Sequence, residues 1–412
     1  MIVIKRAVLD HLVTELNSPE SSILLGPRQV GKTFLLKELK KIAEKQNLKT
    51  TYYNLEIPHD LMQFNKPDSE IFDLILAGGD VVFIDEFHYL KNASKILKAV
   101  FDSGQKIKIF VSGSSSIEIH KHLKESLSGR RFVSIIAPLS FEEFKQKPSN
   151  HDPAQSLEEY LLYGGMPGLI NIAEPDQKIK MLNDILEAYI QKDIKSLVKE
   201  ENIRAFNNLL YLLAQYQGSL ISENNLSKEI GLTAAAVNRY LSILEKTYIC
   251  HRVHSYSRNL ANELKKSQKI YLFDLGIRAA LLKDFSAVDS RPDQGALHET
   301  FVLLQVLSIL RPNMEIKFWR NRAGLEIDFV LLRDRKPFLI EAKTTLGGLE
   351  VPRAFKVFID NYPNTLGGLI VSRNIEGEVE YSGKKILFRK YENILSGLLL
   401  VGTGRPLGQG TA

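Results

Sequence analysis

The stretch "SSILLGPRQVGKT", Ser21 to Thr33, decides the fold of the first third of this chain. "SSILLG" is a short apolar run that reads as a buried strand. "GPRQVGKT" fits G-x-x-x-x-G-K-[ST] from Gly26 to Thr33, and "TFLLKELKKIAEKQ" behind it has the periodicity of an amphipathic helix. Strand, glycine loop and helix in that order give a phosphate loop its context. Gly26 and Gly31 let the backbone curl so that successive N–H groups point inward at phosphate oxygens. The following helix adds the positive end of its dipole. Lys32 can reach the β- and γ-phosphates, and the Thr33 hydroxyl can ligate Mg²⁺. The segment Gly26, Pro27, Arg28, Gln29, Val30, Gly31, Lys32, Thr33 and Phe34 is therefore the expected ATP-binding loop. The competing explanation is a chance match in a Gly-rich turn.

Working outward, "VVFIDE" ends an apolar strand on Asp85 and Glu86. Asp85 is the expected Mg²⁺ holder, acting through water, and Glu86 the group that orients or polarises the attacking water. "IKIFVSG" is a further buried strand that runs into "SGSSS". A hydroxyl of Ser112 or Ser114 is placed to sit between Asp85 and the γ-phosphate, although a Ser-rich turn explains the same residues. In "LSGRRF", Arg130 lies on a loop before a strand and is a candidate arginine finger, in cis or across a subunit interface. A surface arginine is the alternative. Short apolar strands alternating with amphipathic helices over residues 1–150 predict an α/β domain with helical crossovers.

The chain has 412 residues, too many for one ordinary domain. Its 44% hydrophobic and 25% charged content is globular usage, and no apolar run approaches a membrane span. The start lacks the order of a secretory signal. One cysteine, Cys250, excludes an internal disulfide and a thiolate metal cluster. These features predict a cytoplasmic protein with no membrane partner. A net charge of +6 favours a polyanion, with DNA the expected partner and a homo-oligomer or protein partner the alternative.

Polar breaks at Lys147–Ser156 and Ser286–Ala296 suggest a helical segment over 151–200, a further domain over 201–285, a C-terminal domain over 286–400 and a disordered Gly-rich tail over 401–412. "ENNLSKEIGLTAAAVNRYLSILEKTYICHRV" reads as helix, glycine turn, helix and strand. Leu226 and Ile230 form one apolar face, and Val237, Leu241 and Leu244 the next. Gly231 ends the first helix and Thr233 caps the second. The pattern predicts a winged helix with Thr233, Ala234, Ala235, Asn238 and Arg239 exposed for recognition. Only Asn238 and Arg239 offer bidentate hydrogen bonds to bases. Arg252, His254, Arg258, Lys265, Lys266 and Lys269 form a basic stretch suited to phosphates. Packing of this unit against the nucleotide domain is the competing use. His251 and His254 lack a third ligand nearby and read as ordinary surface residues.

The C-terminal segment predicts helix, three strands, helix, strand. "LEIDFVLL" carries Asp328, and "PFLIEAKTT" carries Glu341 and Lys343. Residues two apart on a strand share a face, so Glu341 and Lys343 project together. With Asp328 from the neighbouring strand, these carboxylates can hold Mg²⁺ by oxygen ligands, while Lys343 steadies a phosphate transition state.

Two resemblances follow from these motifs. "GPRQVGKT", "VVFIDE", "VSGSSS", "LSGRR", "PLSFEEF" and "YGGMPGLI", in that order, resemble AAA-type ATPases of archaea and bacteria that carry a conserved C-terminal domain of unknown function. That likeness implies an ATPase with Lys32, Thr33, Asp85 and Glu86 in its nucleotide site and Arg130 as a finger. Asp328, Glu341-Ala342-Lys343 and Glu299 on the preceding helix resemble the PD-(D/E)xK nuclease superfamily, a restriction-endonuclease-like α/β fold with Glu299, Asp328 and Glu341 as its metal ligands. Ile327 stands where that pattern has proline. The combined expectation is an Mg²⁺-dependent ATPase associated with DNA and coupled to a nuclease-like domain. The alternative is a nucleotide-dependent switch for a protein partner, with a catalytically silent C-terminal domain.

Overall fold

The computed structural model describes residues 2–114, 127, 129–147, 152–189, 203–257 and 268–402. The first layer is a five-stranded parallel sheet in the order β2-β3-β4-β1-β5. Its strands are β1 (Ser21–Gly26), β2 (Thr50–Asn54), β3 (Val81–Asp85), β4 (Lys108–Ser114) and β5 (Arg131–Ile135). β1 and β3 are buried along their whole length, which is why their sequences are continuous apolar runs without alternation. The helix Lys32–Lys45 covers one face through Leu35, Leu36, Leu39 and Ala43, which pack with Phe83 and Phe110. The helices Asp68–Leu76 and Ala93–Asp102 cover the other through Ile71, Ile75, Ile96, Leu97 and Val100. The ends of β1, β3 and β4 that carry Gly26, Asp85 and Ser114 lie on one edge of this sheet, where open α/β sheets bind ligands.

Helices follow at Pro153–Tyr163, Pro175–Ala188 and Ile203–Gln215. Next come the short strand β6 (Leu220–Ile221), the helices Glu223–Ile230 and Ala234–Lys246, and the antiparallel strands β7 (Cys250–Ser255) and β8 (Gln268–Leu272). The local signals act as expected. Gly231 takes the left-handed conformation, φ 69°, that ends the first helix. The Thr233 hydroxyl accepts the Ala236 N–H at 3.2 Å and starts the second. Leu226, Ile230, Val237, Leu241 and Leu244 share one core with Leu24, Leu36 and Leu39 of the parallel-sheet domain. These helices are thus packed against the hydrophobic interior of the parallel-sheet domain.

The C-terminal part adds β9 (Met314–Arg320), β10 (Glu326–Arg333), β11 (Lys336–Ala342), β12 (Gly367–Ser372), β13 (Gly377–Tyr381) and β14 (Lys384–Lys390). The helix Gln294–Ser308 packs Phe301 and Val302 onto one face, and Arg353–Asn361 packs Phe355 and Phe358 onto the other. β9, β10 and β11 are antiparallel neighbours, and β12 joins β11 in parallel. The hairpin β13–β14 and a helix at Ile394–Gly402 extend the predicted order; the rest of the tail, residues 403–412, lies outside the described residues.

One feature runs against the sequence division at residue 286. β7 pairs in parallel with β9, His254 opposite Lys317 and Ser255 opposite Phe318. A single nine-stranded sheet, β13-β14-β12-β11-β10-β9-β7-β8-β6, therefore crosses that point. The hairpin strands β7 and β8 are not a free-standing wing; they belong to the sheet of the C-terminal part. Among the described residues, no helix is long and apolar enough to cross a membrane.

Candidate phosphate-loop and carboxylate sites

The loop between β1 and the helix Lys32–Lys45 has the backbone that its glycines predict. Gly26, Gln29 and Gly31 adopt positive φ, 152°, 60° and 95°, the kind of backbone that turns N–H groups toward one side. Gly26 cannot be replaced, because a Cβ there would lie 2.1 Å from the carbonyl oxygen of Ile136. Lys32 is buried and donates to the carbonyl oxygens of Gly26 at 3.0 Å and Pro27 at 2.7 Å. Its ammonium thus lies against the loop it is expected to serve. Thr33 and Phe34 sit half-buried in the first helical turn.

Two side chains brace the loop from outside, and sequence reasoning missed both. Arg6 donates to the carbonyl of Val30 at 2.8 Å and to that of Ala137 at 2.8 Å, and pairs with Glu143 at 3.2 Å. Tyr189 donates to the carbonyl of Arg28 at 2.6 Å. Carbonyls held outward leave the loop N–H groups free to face inward. Arg6 precedes the sheet and Tyr189 follows the helix Pro175–Ala188, so no local pattern links either to the loop.

At the tip of β3, Asp85 is 1% exposed and accepts hydrogen bonds from Tyr52 at 2.9 Å and from Ser112. Ser112 lies on β4, between β3 and β1, with Leu24 opposite it. The structure therefore brings Ser112 to Asp85 as the sequence predicts, and adds Tyr52. Burial, with the charge of Asp85 beside it, pushes the Tyr52 hydroxyl far above its ordinary range, so it stays a donor. Ser114 is opposite Gly26 in the β1–β4 register. Glu86 takes a left-handed conformation, φ 54°, and its carboxylate lies 3.1 Å from His88 Nδ1.

Arg130 is elsewhere. Its carbonyl accepts the Ser21 N–H at 3.1 Å, at the opposite end of β1 from the phosphate loop. The strand between spans roughly 16 Å at about 3.3 Å per residue. Its guanidinium pairs with Asp102 at 2.8 Å and lies over the Phe101 ring. A finger acting in cis is incompatible with this placement, because the side chain starts from the wrong edge of the sheet.

The C-terminal carboxylates converge in a different way from the sequence expectation. Glu341 and Lys343 do face together, with Nζ 2.7 Å from Oε1. The Ala342 N–H donates to Asp328 at 2.8 Å, and the Asp328 N–H to Glu341 at 3.2 Å. Burial, then the Asp328 charge, holds the Glu341 carboxyl well above the usual carboxylate range, and burial raises Asp328 as well. Glu299, however, is taken by Lys269 at 2.8 Å and by the Tyr271 hydroxyl at 2.6 Å. Lys269 also meets Glu326 at 2.6 Å. Among the described residues, no group of three or more His, Cys, Asp or Glu side chains is arranged to hold a metal ion. Of the expected trio Glu299, Asp328 and Glu341, Glu299 is thus held by a lysine of the same chain, while Asp328 and Glu341 interlock through backbone N–H groups. Tyr271 and the role of Lys269 here were missed because β8 lies 30 residues before Glu299 and shares no motif with it; Glu326, two residues before Asp328 on β10, was passed over.

The basic stretch is also corrected. Lys269 is 2% exposed and unavailable to phosphates. Arg252 pairs with Glu245 at 2.5 Å and donates to Asn238 at 3.4 Å, so its charge is engaged by the helix Ala234–Lys246. Arg258, Lys265 and Lys266 lie outside the described residues. Thr233, Ala235, Asn238 and Arg239 are exposed, and Ala234 is half-buried.

Comparison with known proteins divides the chain. Residues 18–145 match a family described as "AAA domain", residues 154–287 a domain of unknown function (DUF8612), and residues 294–388 another (DUF4143). The uncharacterized protein Rv2008c of Mycobacterium tuberculosis is 24% identical over 84% of this chain and 75% of its own. The uncharacterized protein MJ1544 of Methanocaldococcus jannaschii is 24% identical over 86% and 82%. Among solved structures, AMPPCP-bound DnaA from Aquifex aeolicus superposes with a TM-score of 0.32 at 14% identity, covering 59% of this chain and 90% of that one. Residues 18–145 of this chain thus match an AAA domain and fold as an α/β unit with a parallel sheet.

Proposed function

We propose that the chain is an Mg²⁺-dependent ATPase whose nucleotide state is transmitted through the helical segment to the C-terminal sheet. The single observation that carries this reading is the loop Gly26–Thr33, with Gln29 and Gly31 at positive φ and Lys32 folded onto its carbonyls. Lys32 would exchange those carbonyls for the β- and γ-phosphate oxygens. The Thr33 hydroxyl and the Asp85 carboxylate form an oxygen donor set that fits Mg²⁺. Held there, Mg²⁺ would supply charge neutralisation at the phosphates. Asp85 is kept in place by Tyr52 and Ser112. Glu86 positions and accepts a proton from the attacking water, and His88 orients its carboxylate. Arg130, at the opposite end of β1 from the loop, is read as a finger for a neighbouring copy's site in a homo-oligomer. Phosphate release by the full chain, with and without DNA, tests the reading: Lys32→Ala should abolish turnover, and equal turnover in both would reject it.

A second reading concerns the C-terminal domain. The leading expectation there is a DNA-directed nuclease, with Glu299, Asp328 and Glu341 on the metal and Lys343 at the phosphate. The position of Lys269 favours the alternative, a nucleotide-dependent switch that binds a protein partner and whose restriction-endonuclease-like domain does not cut. The helix Ala234–Lys246 and hairpin β7–β8 are read as a winged helix that serves as a packing arm, given the pairing of Arg252 with Glu245. Cleavage of plasmid DNA in Mn²⁺ that disappears in Asp328→Ala would reject the silent-domain reading. Absence of cleavage together with absence of salt-dependent DNA binding would reject the nuclease reading.

A further inference from the structure

We infer that the resident cation of the C-terminal carboxylate cluster is the ammonium of Lys269, and that strand β8 keeps the cluster closed to divalent metal ions. This rests on where β8 lies and is independent of nucleotide turnover. Glu299 comes from the helix Gln294–Ser308, Glu326 and Asp328 from β10, and Glu341 from β11. Four buried or half-buried carboxylates on three adjacent elements repel one another unless a cation stands among them. Lys269 Nζ lies 2.8 Å from Glu299 and 2.6 Å from Glu326, joining a carboxylate of the helix to one of β10. Its side chain is 2% exposed and passes over the Phe318 ring of β9, with Nζ 5.6 Å from the ring centre.

Three further contacts make this a built position. Tyr271, two residues along β8 and on the same face, donates to the Glu299 oxygen that Lys269 also contacts. Gly218 closes the other side of Glu299, where a Cβ would come within 3.2 Å of its carboxylate. Gln217 donates to Thr300, beside Glu299, and accepts the Leu272 N–H at 3.2 Å. The register that fixes Lys269 is set on both sides, by Leu220 of β6 and Val253 of β7. A one-residue slip of β8 would turn Lys269 and Tyr271 to the opposite face. An ammonium fixed in this way supplies one positive charge with donors aimed at Glu299 and Glu326. A divalent ion entering the cluster must displace it and bury an unpaired lysine, which the surrounding apolar side chains oppose.

Manganese binding to the full-length chain without nucleotide tests the inference, with electron paramagnetic resonance reading free Mn²⁺. Wild type and Glu341→Gln should bind Mn²⁺ identically, because the cluster takes none. Lys269→Met, similar in length but uncharged, should gain one site per chain at least tenfold tighter than any in wild type, and Lys269→Met/Glu341→Gln should lose it. Lys269→Arg should gain none. Wild-type binding that Glu341→Gln removes would overturn the inference, as would a folded Lys269→Met chain that gains no site. Should Lys269→Met fail to fold, acylation of wild type read by mass spectrometry decides alone. Lys269 should react at least tenfold more slowly than Lys343, with or without 10 mM Mn²⁺ (about 10 mM exceeds the weak affinity of surface carboxylates). A reactive Lys269, or one that Mn²⁺ exposes, would overturn it.

Discussion

The phosphate loop and the C-terminal carboxylate cluster are both legible as phosphate-directed motifs, yet they differ in what completes them. In the loop, the groups that would hold a ligand are backbone N–H groups whose direction depends on glycines and on positive-φ residues inside the motif itself. In the cluster, the deciding group is a side chain from β8, which no part of the E-A-K motif encodes. A motif built on main-chain geometry carries its own site. A motif built on side-chain charges depends on which other charges the fold brings to it.

That contrast can be broken or sharpened by substitution. The largest effect is expected at Glu86: Glu86→Gln should lower ATP hydrolysis about 10²–10⁴-fold while leaving ATP binding within about twofold, as removal of a general base does. Comparable loss of binding would mean that Glu86 shapes the loop instead. Next, Lys269→Ala leaves Glu299 without its cation and Glu326 with only Arg320 at 3.5 Å, and should destabilise the chain by about 3–5 kcal/mol in urea unfolding. A change below about 1 kcal/mol would show that the pair is dispensable and the contrast false. Third, Arg6→Ala removes the buried donor to the Val30 carbonyl and should weaken ATP affinity about tenfold, since a lost buried hydrogen bond costs about 1–3 kcal/mol. Unchanged affinity would show that the loop keeps its shape unaided.

The smallest effect concerns pH. Glu341 titrates higher folded than unfolded because of its burial and the Asp328 charge. Its protonated form is therefore favoured by folding. The stability it lends is complete below the ordinary glutamate value of about 4.5 and is lost as pH rises through the folded value of about 8. The urea midpoint of wild type should fall across that window, and Glu341→Gln should flatten the fall. An identical slope in both chains would remove Glu341 as the cause.

How much was readable in the sequence follows the same division. The parallel sheet was legible because β1 and β3 are buried on both faces and so are unbroken apolar runs. The turn at Gly231 and the cap at Thr233 were legible because each acts within three residues. Glu341 and Lys343 facing together followed from strand alternation. What was not legible lies between elements. Arg6 reaches the loop from 24 residues before Val30 and Tyr189 from 161 residues after Arg28, and β7 joins β9 by only two register pairs across an expected domain boundary. Arg130 does precede a strand, as its sequence indicates, but the sequence does not say which edge of the sheet that end occupies.

The central claim is that the cup between Gly26 and Thr33 grips a triphosphate. Calorimetric titration of the full chain with ATP in Mg²⁺ measures this most directly. One site per chain that Lys32→Ala abolishes is the predicted result. Absence of binding, or binding that Lys32→Ala leaves intact, would contradict it.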